Sequence, residues 1–493
     1  MSLSINPLID KNSKIIFPEL RLIVYIFRSG RFFIYNMDVD YCAYGTHAYS
    51  GNKYQFRTFY SEYYELEFLS DSSIQLEINK VKYITHNYEM THFDDADYDT
   101  KFIDIPRDDI ESYYQDKKYN RKLSCLAPIS NINLSSDGNI GLCNVNSEYI
   151  FGKWPDTSLK DAWFSEKRKT AAKNVFNDKL DQSCCCHTFF NKTYNIGAVP
   201  MDGYDNAYDL YDDIEDVDHN YPVNIRFQLG IVCNMQCIMC GEHASSLHRK
   251  TKNLPVFVSP FEKHADKFLD EFDEFIPHLK KIIFTGGESF LQPVYYKLFD
   301  RLIKQDFKGR IYVFSNGSIF NERIEGILNH FKNNIQINLS IDSFNKEIYQ
   351  KIRVSGNYDK MFENLFKFKN SPCDLRLSVT AMKQNAYDMV ETLKFCDKHS
   401  IKAGIYPVFT NHSFYEGDKI SSTAIFDWEI EKIKQLNTFY RIFTENYYTS
   451  SFVENKISQE NKKYFFRYIK DIANYIKFYE NNRKSIQVPC SIL

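Results

Sequence analysis

The chain contains 493 residues, of which 43% are hydrophobic, 25% are charged and 16% are aromatic. This much apolar surface supports a large core and excludes a mainly disordered or collagen-like chain. Lysine and arginine number 61 against 64 aspartate and glutamate residues, so bulk electrostatic attraction to nucleic acid is not expected. At about 100 to 200 residues per domain, the length predicts two or three domains.

The amino terminus and the hydropathy pattern predict a cytoplasmic protein without a membrane partner. Residues 1–14 lack the charged stretch, the apolar stretch and the cleavage site of a secretory signal. The apolar run at residues 22–27 has the length of a buried strand, whereas a membrane span needs about 18 residues. Twelve cysteines in a reducing compartment favour metal or cluster chemistry over disulfides.

The first part of the chain divides into two predicted regions and a linker. Residues 1–115 carry runs of aromatic and β-branched residues, which predict a β-rich region and a possible surface for substrate recognition. They end in a helical-looking stretch at 106–122. Residues 123–200 form a small cysteine-rich module with a short helix near 158–175. Residues 201–220 hold eight acidic residues and no lysine or arginine, which predicts a solvated linker.

Residues 221–420 alternate between short β-type runs and amphipathic stretches. The β-type runs are NIRFQL, KKIIFT, RIYVFS, IQINLSI, LRLSVTA and AGIYPVF. Six successive βα units predict an α/β fold with parallel strands, either a partial (β/α)6 TIM-like barrel or a doubly wound sheet. Periodicity alone favours neither. Residues 421–493 show apolar positions three and four apart, which predicts a C-terminal helical extension.

Three cysteines lie together directly after the first strand of the alternating region. Cys233, Cys237 and Cys240 form C-x3-C-x2-C, so one loop at the carboxyl end of a strand carries all three thiols. Barrel enzymes place their chemistry at this end of the strands. Three thiolates would leave one iron of a [4Fe-4S] cluster open for substrate or cofactor. A structural zinc knuckle that borrows a remote fourth ligand is the alternative.

This spacing, in this position, resembles the radical S-adenosylmethionine (SAM) superfamily. The run CNMQCIMCG is similar to members that carry a twitch or SPASM auxiliary-cluster module. The resemblance implies that Cys233, Cys237 and Cys240 are the catalytic ligands of a [4Fe-4S] cluster with an open iron. Met239 stands where most members have an aromatic residue, and its polarizable thioether would pack against the adenine of SAM.

The end of the second strand resembles the family's GGE motif, whose backbone holds the SAM amino group. The motif is Gly286-Gly287-Glu288 in this chain, and Ser289 replaces the proline that usually follows. Glycine permits the close backbone approach and the positive φ that such a turn needs. The third strand ends near Asn316 in an SNG-like sequence, which the resemblance assigns to the cofactor and which is also a common turn.

The fourth strand resembles the family segment that grips the SAM carboxylate. It contains Ser340 and Asp342, and Arg353 follows thirteen residues after the serine. A guanidinium binds a carboxylate through two parallel hydrogen bonds, and a hydroxyl at a strand end adds another. Taken by itself, Arg353 would be interpreted as a solvated charge at a helix end.

A second cysteine group resembles a SPASM or twitch module. Cys125 and Cys143 form C-x12-G-x4-C, and the module precedes the barrel although it follows the barrel in most members. The resemblance implies an auxiliary [4Fe-4S] cluster on Cys125, Cys143, Cys184 and Cys186. His187 is an alternative partner of Cys184, the place of Cys185 stays open, and a structural zinc site on the same cysteines is a further alternative.

The remaining cysteines have no partners at useful spacing. They are Cys42, Cys373, Cys396 and Cys490. The terminal Cys490-Ser-Ile-Leu formally fits a prenylation box, but a strong basic tract is missing. We interpret the four as buried or incidental thiols.

The resemblance implies reductive cleavage of SAM and hydrogen abstraction from a substrate. Our leading hypothesis is a peptide or protein side chain as the substrate, with flavodoxin or ferredoxin as the reducing partner. One alternative is a dehydrogenase or epimerase acting on a small, sugar-like molecule. The other is a non-catalytic, zinc-binding interaction protein on a degenerate barrel.

Overall fold

The computed structural model describes most of the chain and divides it into two compact units. The described residues are 12–18, 22–26, 31–36, 41–50, 53–58, 63–69, 74–78, 81–87, 89–93, 102–104, 122–144, 149–181, 204–407, 430–448 and 456–485. The strands of the first unit lie within Met1–Thr100. The second unit contains Lys101–Pro407 and Trp428–Leu493. The predicted helix at 106–122 and the predicted cysteine ligands at positions 184 and 186 lie outside the described residues.

The first unit contains a nine-stranded antiparallel sheet, which confirms the predicted β-rich region. Its strands are β1 Asn12–Phe17, β2 Leu22–Ile26, β3 Arg31–Asn36, β4 Tyr41–Ser50, β5 Lys53–Thr58, β6 Tyr63–Phe68, β7 Ile74–Ile78, β8 Val81–Thr85 and β9 Glu89–Phe93. The spatial order is β8-β7-β6-β5-β4-β3-β2-β1-β9.

This first sheet is strongly curled. Strands β8 and β9 are its two edges, and only residues 86–88 separate them in the chain. A flat sheet of this width would span roughly 38 Å, whereas the connecting residues reach about 14 Å. The edges therefore approach each other, and Ile15, Phe17, Val24 and Leu66 are fully buried.

The second unit contains another nine-stranded sheet and a two-stranded one. The large sheet has the order β13-β12-β11-β15-β16-β17-β18-β19-β20, and β10 pairs with β14. The strands are β10 Phe102–Asp104, β11 Asn131–Leu134, β12 Asn139–Gly141, β13 Ile150–Lys153, β14 Lys179–Asp181, β15 Asn224–Phe227, β16 Lys281–Phe284, β17 Arg310–Ser315, β18 Ile335–Leu339, β19 Asp374–Ala381 and β20 Lys402–Pro407.

Strands β15 to β20 form the six predicted βα units. All neighbouring pairs in this series are parallel, and their spatial order follows the chain order without a reversal. Successive right-handed crossovers in one direction leave their helices on one face of the sheet, whereas a doubly wound sheet requires a reversal. The topology confirms the partial (β/α)6 TIM-like barrel and excludes the doubly wound alternative.

Thirteen helices accompany the second sheet. They are α1 Ala127–Ser130, α2 Leu159–Trp163, α3 Glu166–Val175, α4 Ser246–Thr251, α5 Pro260–Lys263, α6 Ala265–Asp273, α7 Pro293–Lys304, α8 Glu322–Phe331, α9 Lys346–Ile352, α10 Tyr358–Asn370, α11 Met389–Lys398, α12 Ile430–Tyr447 and α13 Lys456–Ser485, counted over the described ranges only. Ser165, Asn321 and Asn357 cap α3, α8 and α10 because each side chain accepts a hydrogen bond from a first-turn backbone N–H. Helices α12 and α13 confirm the predicted C-terminal helices. Within the part of the chain that the structure describes, no helix is long and apolar enough to span a membrane.

The two faces of the barrel sheet differ in chemistry. The rings of Phe227 and Phe272 on α6 lie 5.3 Å apart, and those of Phe284 and Phe299 on α7 lie 4.7 Å apart. The helix-covered side, which we call the outer face, is therefore an apolar core. Because strand side chains alternate, Arg226 and other polar residues lie on the opposite side, the inner face.

The described part of the acidic segment, residues 204–220, is packed, which corrects the predicted solvated linker. Tyr204, Ala207 and Val217 are buried in the same apolar cluster as Cys125 and Cys143. The acidic side chains alternate with apolar ones along this segment, so composition alone overstated its exposure. The cysteine-rich module also continues the barrel sheet, because β11 pairs in parallel with β15.

Candidate active site

The loop that follows β15 carries the three predicted cluster ligands. Hydrogen bonds from its backbone N–H groups hold the loop from two sides. The N–H of Cys233 donates to Ser246 Oγ at 3.1 Å, and the N–H of Ile238 donates to the carbonyl of Ile352 at 3.0 Å. Ser245 Oγ donates to the carbonyl of Met235 at 2.7 Å. The loop is thus fixed between the start of α4 and the end of α9.

The three thiols differ in electrostatic environment. The pKa of the Cys237 thiol is lowered to about 7, because the neighbouring Cys240 thiol hydrogen-bonds to it and Arg353 lies beside it. The same hydrogen bond raises the pKa of Cys240, and burial raises that of Cys233 to about 11. Arg353 Nη1 contacts Cys237 Sγ at 3.6 Å. A cation beside a cluster of thiols favours their deprotonated, metal-binding form.

This donor set fits an iron-sulfur cluster. Among the described residues, no three His, Cys, Asp or Glu side chains are gathered closely enough to bind a single metal ion. A [4Fe-4S] cluster takes its protein ligands on different irons, so its thiolates surround several atoms. Cys233, Cys237 and Cys240 on one fixed loop suit this arrangement. Met239 lies between two of them and is partly buried.

The GG turn after β16 lies against the start of the cysteine loop. Gly286 and Gly287 have φ angles of 89° and 51°. A Cβ at Gly287 would lie 2.4 Å from the carbonyl oxygen of Val232 and 2.5 Å from Gln292 Nε2. Both the left-handed backbone and the close approach require glycine at this position. The turn and the cysteine loop therefore form one packed structure.

Glu288 links two segments of the site. The side chain is 1% exposed, and its Oε1 accepts hydrogen bonds from Ser315 Oγ at 2.7 Å and from the N–H of Phe290 at 3.1 Å. Its Oε2 accepts from the N–H of Asn316 at 2.6 Å. Burial raises the pKa of this carboxyl group. Glu288 therefore ties the GG turn to the end of β17.

Asn316 connects the end of β17 to the cysteine loop. Its Nδ2 donates to Asn234 Oδ1 at 3.0 Å, and Asn234 Nδ2 donates to Ser318 Oγ at 3.0 Å. Asn234 was not among the predicted site residues, although its position inside the cysteine motif could have indicated a role in the site. The N–H of Ser340 donates to the carbonyl of Ser315 at 2.8 Å, which joins the ends of β17 and β18.

Asp342 and Arg353 form a buried ion pair beside the cysteine loop. Arg353 Nε donates to Asp342 Oδ2 at 2.6 Å, and the Asp342 side chain is fully buried. Asp342 Oδ1 also accepts from the N–H of Thr380 at 2.8 Å. Both carboxylate oxygens are therefore occupied, so Asp342 positions Arg353 and joins β18 to β19. Arg353 is buried, unlike the solvated charge expected for an isolated residue.

The structure brings Cys125 and Cys143 into one apolar cluster at the other end of the sheet. Both are 5% exposed. Cys125 precedes α1 and β11, while Cys143 follows β12, which is antiparallel to β11. Asn131 Nδ2 donates to the carbonyl of Leu142 at 2.5 Å, which fixes Cys143 near the amino end of β11.

The two cysteine groups therefore lie at opposite ends of neighbouring strands. Strand β11 is parallel to β15, so their amino ends share one edge of the sheet. Cys233 follows the carboxyl end of β15, whereas Cys143 lies at the amino end of β11. Strands of four residues separate these ends by roughly 13 Å. The polar inner face of the sheet lies between the level of Cys143 and the level of Cys233 along the strands.

Comparison with protein families identifies both parts of this site. The radical SAM superfamily matches residues 228–396, which include the cysteine loop, the GG turn and Arg353. The chain carries a radical SAM domain. The SPASM iron-sulfur cluster-binding domain matches residues 125–188. The two matches imply SAM, a [4Fe-4S] cluster and auxiliary iron-sulfur binding, as the sequence predicted.

Two curated relatives resemble parts of this radical SAM protein. The probable GTP 3',8-cyclase of Methanocaldococcus jannaschii is 24% identical over 174 residues, or 35% of this chain and 54% of that relative. The antilisterial bacteriocin subtilosin biosynthesis protein AlbA of Bacillus subtilis is 24% identical over 169 residues, or 34% of this chain and 35% of that relative. The chain thus spans about half of the first relative and a third of the second.

Two solved structures are similar to part of this chain at low sequence identity. Streptococcus suis SuiB bound to precursor peptide SuiA is 14% identical with a TM-score of 0.34, over 46% of this chain and 47% of that chain. Native anSMEcpe with bound AdoMet is 15% identical with a TM-score of 0.35, over 46% of this chain and 61% of that chain.

Proposed function

We propose that this radical SAM protein modifies a peptide or protein side chain. The observation that carries the proposal is the placement of two cysteine groups at opposite ends of the neighbouring strands β11 and β15, with a polar inner face between them. A substrate on that face lies within reach of both groups. The relative AlbA, which is named for bacteriocin biosynthesis, supports a peptide substrate.

Different residues of this chain have the proposed roles of cluster ligation and SAM binding. Cys233, Cys237 and Cys240 would hold the [4Fe-4S] cluster, which would supply the electron for reductive cleavage of SAM to methionine and a hydrogen-abstracting 5'-deoxyadenosyl radical. The backbone of the GG turn receives the SAM amino group, and Arg353 receives the SAM carboxylate with Ser340. The buried apolar core on the outer face keeps these groups in place.

The auxiliary cysteines serve substrate turnover and electron flow. A cluster with a complete set of protein ligands has no open iron for SAM, so it passes an electron or shapes the substrate site. The reducing partner is a one-electron carrier such as flavodoxin or ferredoxin. We further propose a cytoplasmic location, because the cysteine thiols at both sites must stay reduced to bind clusters.

The test is anaerobic reconstitution of the full chain with iron and sulfide, followed by assay of 5'-deoxyadenosine under dithionite. The wild type should bind close to two clusters and cleave SAM. The Cys233→Ala, Cys237→Ala, Cys240→Ala triple variant should keep only the auxiliary cluster and lose SAM cleavage. Cys373→Ala is the matched control, because its thiol donates only to the carbonyl of Phe368. SAM cleavage by the triple variant would contradict the proposal.

A further inference from the structure

The inner face of the barrel sheet holds two buried hydrogen-bond donors without partners. Asn338 on β18 is 4% exposed, and its Nδ2 has no hydrogen-bond partner within the described ranges. The same holds for Nε of Arg376 on β19. The two residues are paired in the register of these adjacent strands, so they share one face about 4.8 Å apart. Buried donors are almost always satisfied in native proteins, which points to a ligand here.

Two other polar atoms of this pair, Asn338 Oδ1 and Arg376 Nη1, are already engaged. Asn338 Oδ1 accepts from Gln336 Nε2 at 2.8 Å. Arg376 Nη1 donates to the hydroxyl of Tyr464 on α13 at 2.9 Å, and its guanidinium lies 4.9 Å from the centre of the Tyr464 ring. These contacts hold both side chains in place. Their free N–H groups are therefore preorganised donors.

The charge around the pair favours an anion. The carboxylate of Asp374, two residues before Arg376, accepts from Arg310 Nη2 at 2.5 Å and from Lys402 Nζ at 3.2 Å. Arg376 itself makes no ion pair with a carboxylate among the residues that the structure describes. Its guanidinium is always protonated. An incoming negative group would complete this arrangement.

We propose that Asn338 and Arg376 form a subsite that binds a carboxylate of the substrate, an assignment that rests on the proposed peptide-modifying function. One carboxylate presents two oxygens, which accept the amide N–H and the guanidinium N–H together. Asn338 precedes Ser340 by two residues, so the bound carboxylate lies roughly 7 Å below the strand ends where SAM is received. The subsite thereby anchors the substrate next to the radical's position.

The carboxylate belongs either to an aspartate or glutamate side chain or to a peptide chain end. Three probes separate these sources: N-acetylaspartate N-methylamide carries only a side-chain carboxylate, N-acetylalanine only a terminal one, and N-acetylasparagine N-methylamide neither. Binding to the reconstituted full chain is measured by saturation-transfer NMR titration without SAM. At least one carboxylate probe should bind about tenfold more tightly than the asparagine probe. Inorganic phosphate should bind more weakly than the better carboxylate probe.

Two variants test the assignment of the residues. Arg376→Leu and Asn338→Asp should each lower the affinity for the better carboxylate probe by about tenfold or more. The first variant removes the cation, and the second places a competing carboxylate beside it. Arg323→Leu is the matched control, since Arg323 pairs with Asp300 away from the inner face. Cluster content and SAM cleavage without substrate should stay at wild-type levels, which shows that each variant folds.

The results separate this inference from the proposed function. Equal affinity of the asparagine and carboxylate probes, or unchanged affinity in both variants, would overturn the subsite. Preference for phosphate would overturn the carboxylate assignment. Failure of the wild type to cleave SAM would instead contradict the proposed function, because probe binding is scored without turnover.

Discussion

At the scale of single residues, the pairing of Arg353 with Asp342 governs how the arginine can be tested. The predicted role of Arg353 is to hold the SAM carboxylate, yet its Nε also neutralises a fully buried aspartate. Removing one partner of a buried ion pair leaves the other charge uncompensated and typically costs about 3 to 5 kcal/mol. A simple Arg353→Ala variant therefore loses both stability and cofactor contacts.

We predict that Arg353→Ala weakens SAM binding and lowers the thermal unfolding midpoint. The lost charge-assisted contact with SAM should cost about 1.5 to 3 kcal/mol of binding free energy. The Asp342→Asn, Arg353→Ala double variant should regain much of the stability, because no buried charge remains unpaired, but it should not regain SAM affinity. SAM titration and anaerobic thermal unfolding measure the two effects separately. Wild-type SAM affinity in the double variant would show that Arg353 has only a structural role.

At the scale of secondary-structure elements, the GG turn and the cysteine loop depend on each other's backbone. Gly287 has a positive φ, and any side chain there would collide with the carbonyl of Val232 at the start of the loop. Glu288 extends the same link to β17 through the N–H of Asn316. The ends of β16 and β17 and the cysteine loop therefore hold each other in position.

We predict that Gly287→Ala lowers both the cluster content and the SAM affinity of the reconstituted protein. The new Cβ must displace the backbone of the cysteine loop, since backbone atoms cannot move aside as side chains do. Gly326→Ala is the control, because nothing lies within 4 Å of that Cβ and the residue is inside helix α8. The control should stabilise the protein by roughly 0.5 to 1 kcal/mol. Iron analysis and SAM titration give the comparison, and wild-type values for Gly287→Ala would refute the coupling.

At the scale of the whole second unit, the two cysteine groups lie at opposite ends of one continuous sheet. The parallel pairing of β11 with β15 joins the SPASM module and the barrel in one sheet. A group bound near Cys143 is therefore separated from the cysteine loop by the length of the strands. This separation predicts that SAM cleavage and product formation depend on different cysteines.

We predict that Cys125→Ala combined with Cys143→Ala abolishes product formation while uncoupled 5'-deoxyadenosine formation continues. The residues proposed to bind SAM all lie at the carboxyl end of the strands, so they should be unaffected. Cys396→Ala is a suitable control, because this buried thiol lies on α11 outside both groups. The assay follows 5'-deoxyadenosine and product together, and loss of both in the double variant would contradict the separation.

Short-range patterns in the sequence determined the elements and the cysteine loop. Alternation of apolar residues, helix periodicity and the C-x3-C-x2-C spacing act over a few residues, so they are visible without a fold. They predicted the β-rich first unit, the six βα units, the C-terminal helices and the loop that carries Cys233. The structure places Arg353, which the family resemblance assigned to the SAM carboxylate, in contact with Cys237 of this loop.

Contacts between distant segments decided the order of the strands and the burial of the acidic segment. These contacts depend on which strand edges and apolar faces remain unpaired after local structure has formed, so short-range patterns do not reveal them. Sequence alone could not show that β11 pairs with β15, since either strand could have satisfied its backbone groups elsewhere. The burial of Tyr204 and Val217 in an acidic segment likewise depends on a cluster assembled from remote residues. Periodicity left the barrel and the doubly wound sheet equally possible, and only the unreversed strand order distinguished them. The partnerless donors of Asn338 and Arg376 became visible only when two strands brought them together on the inner face.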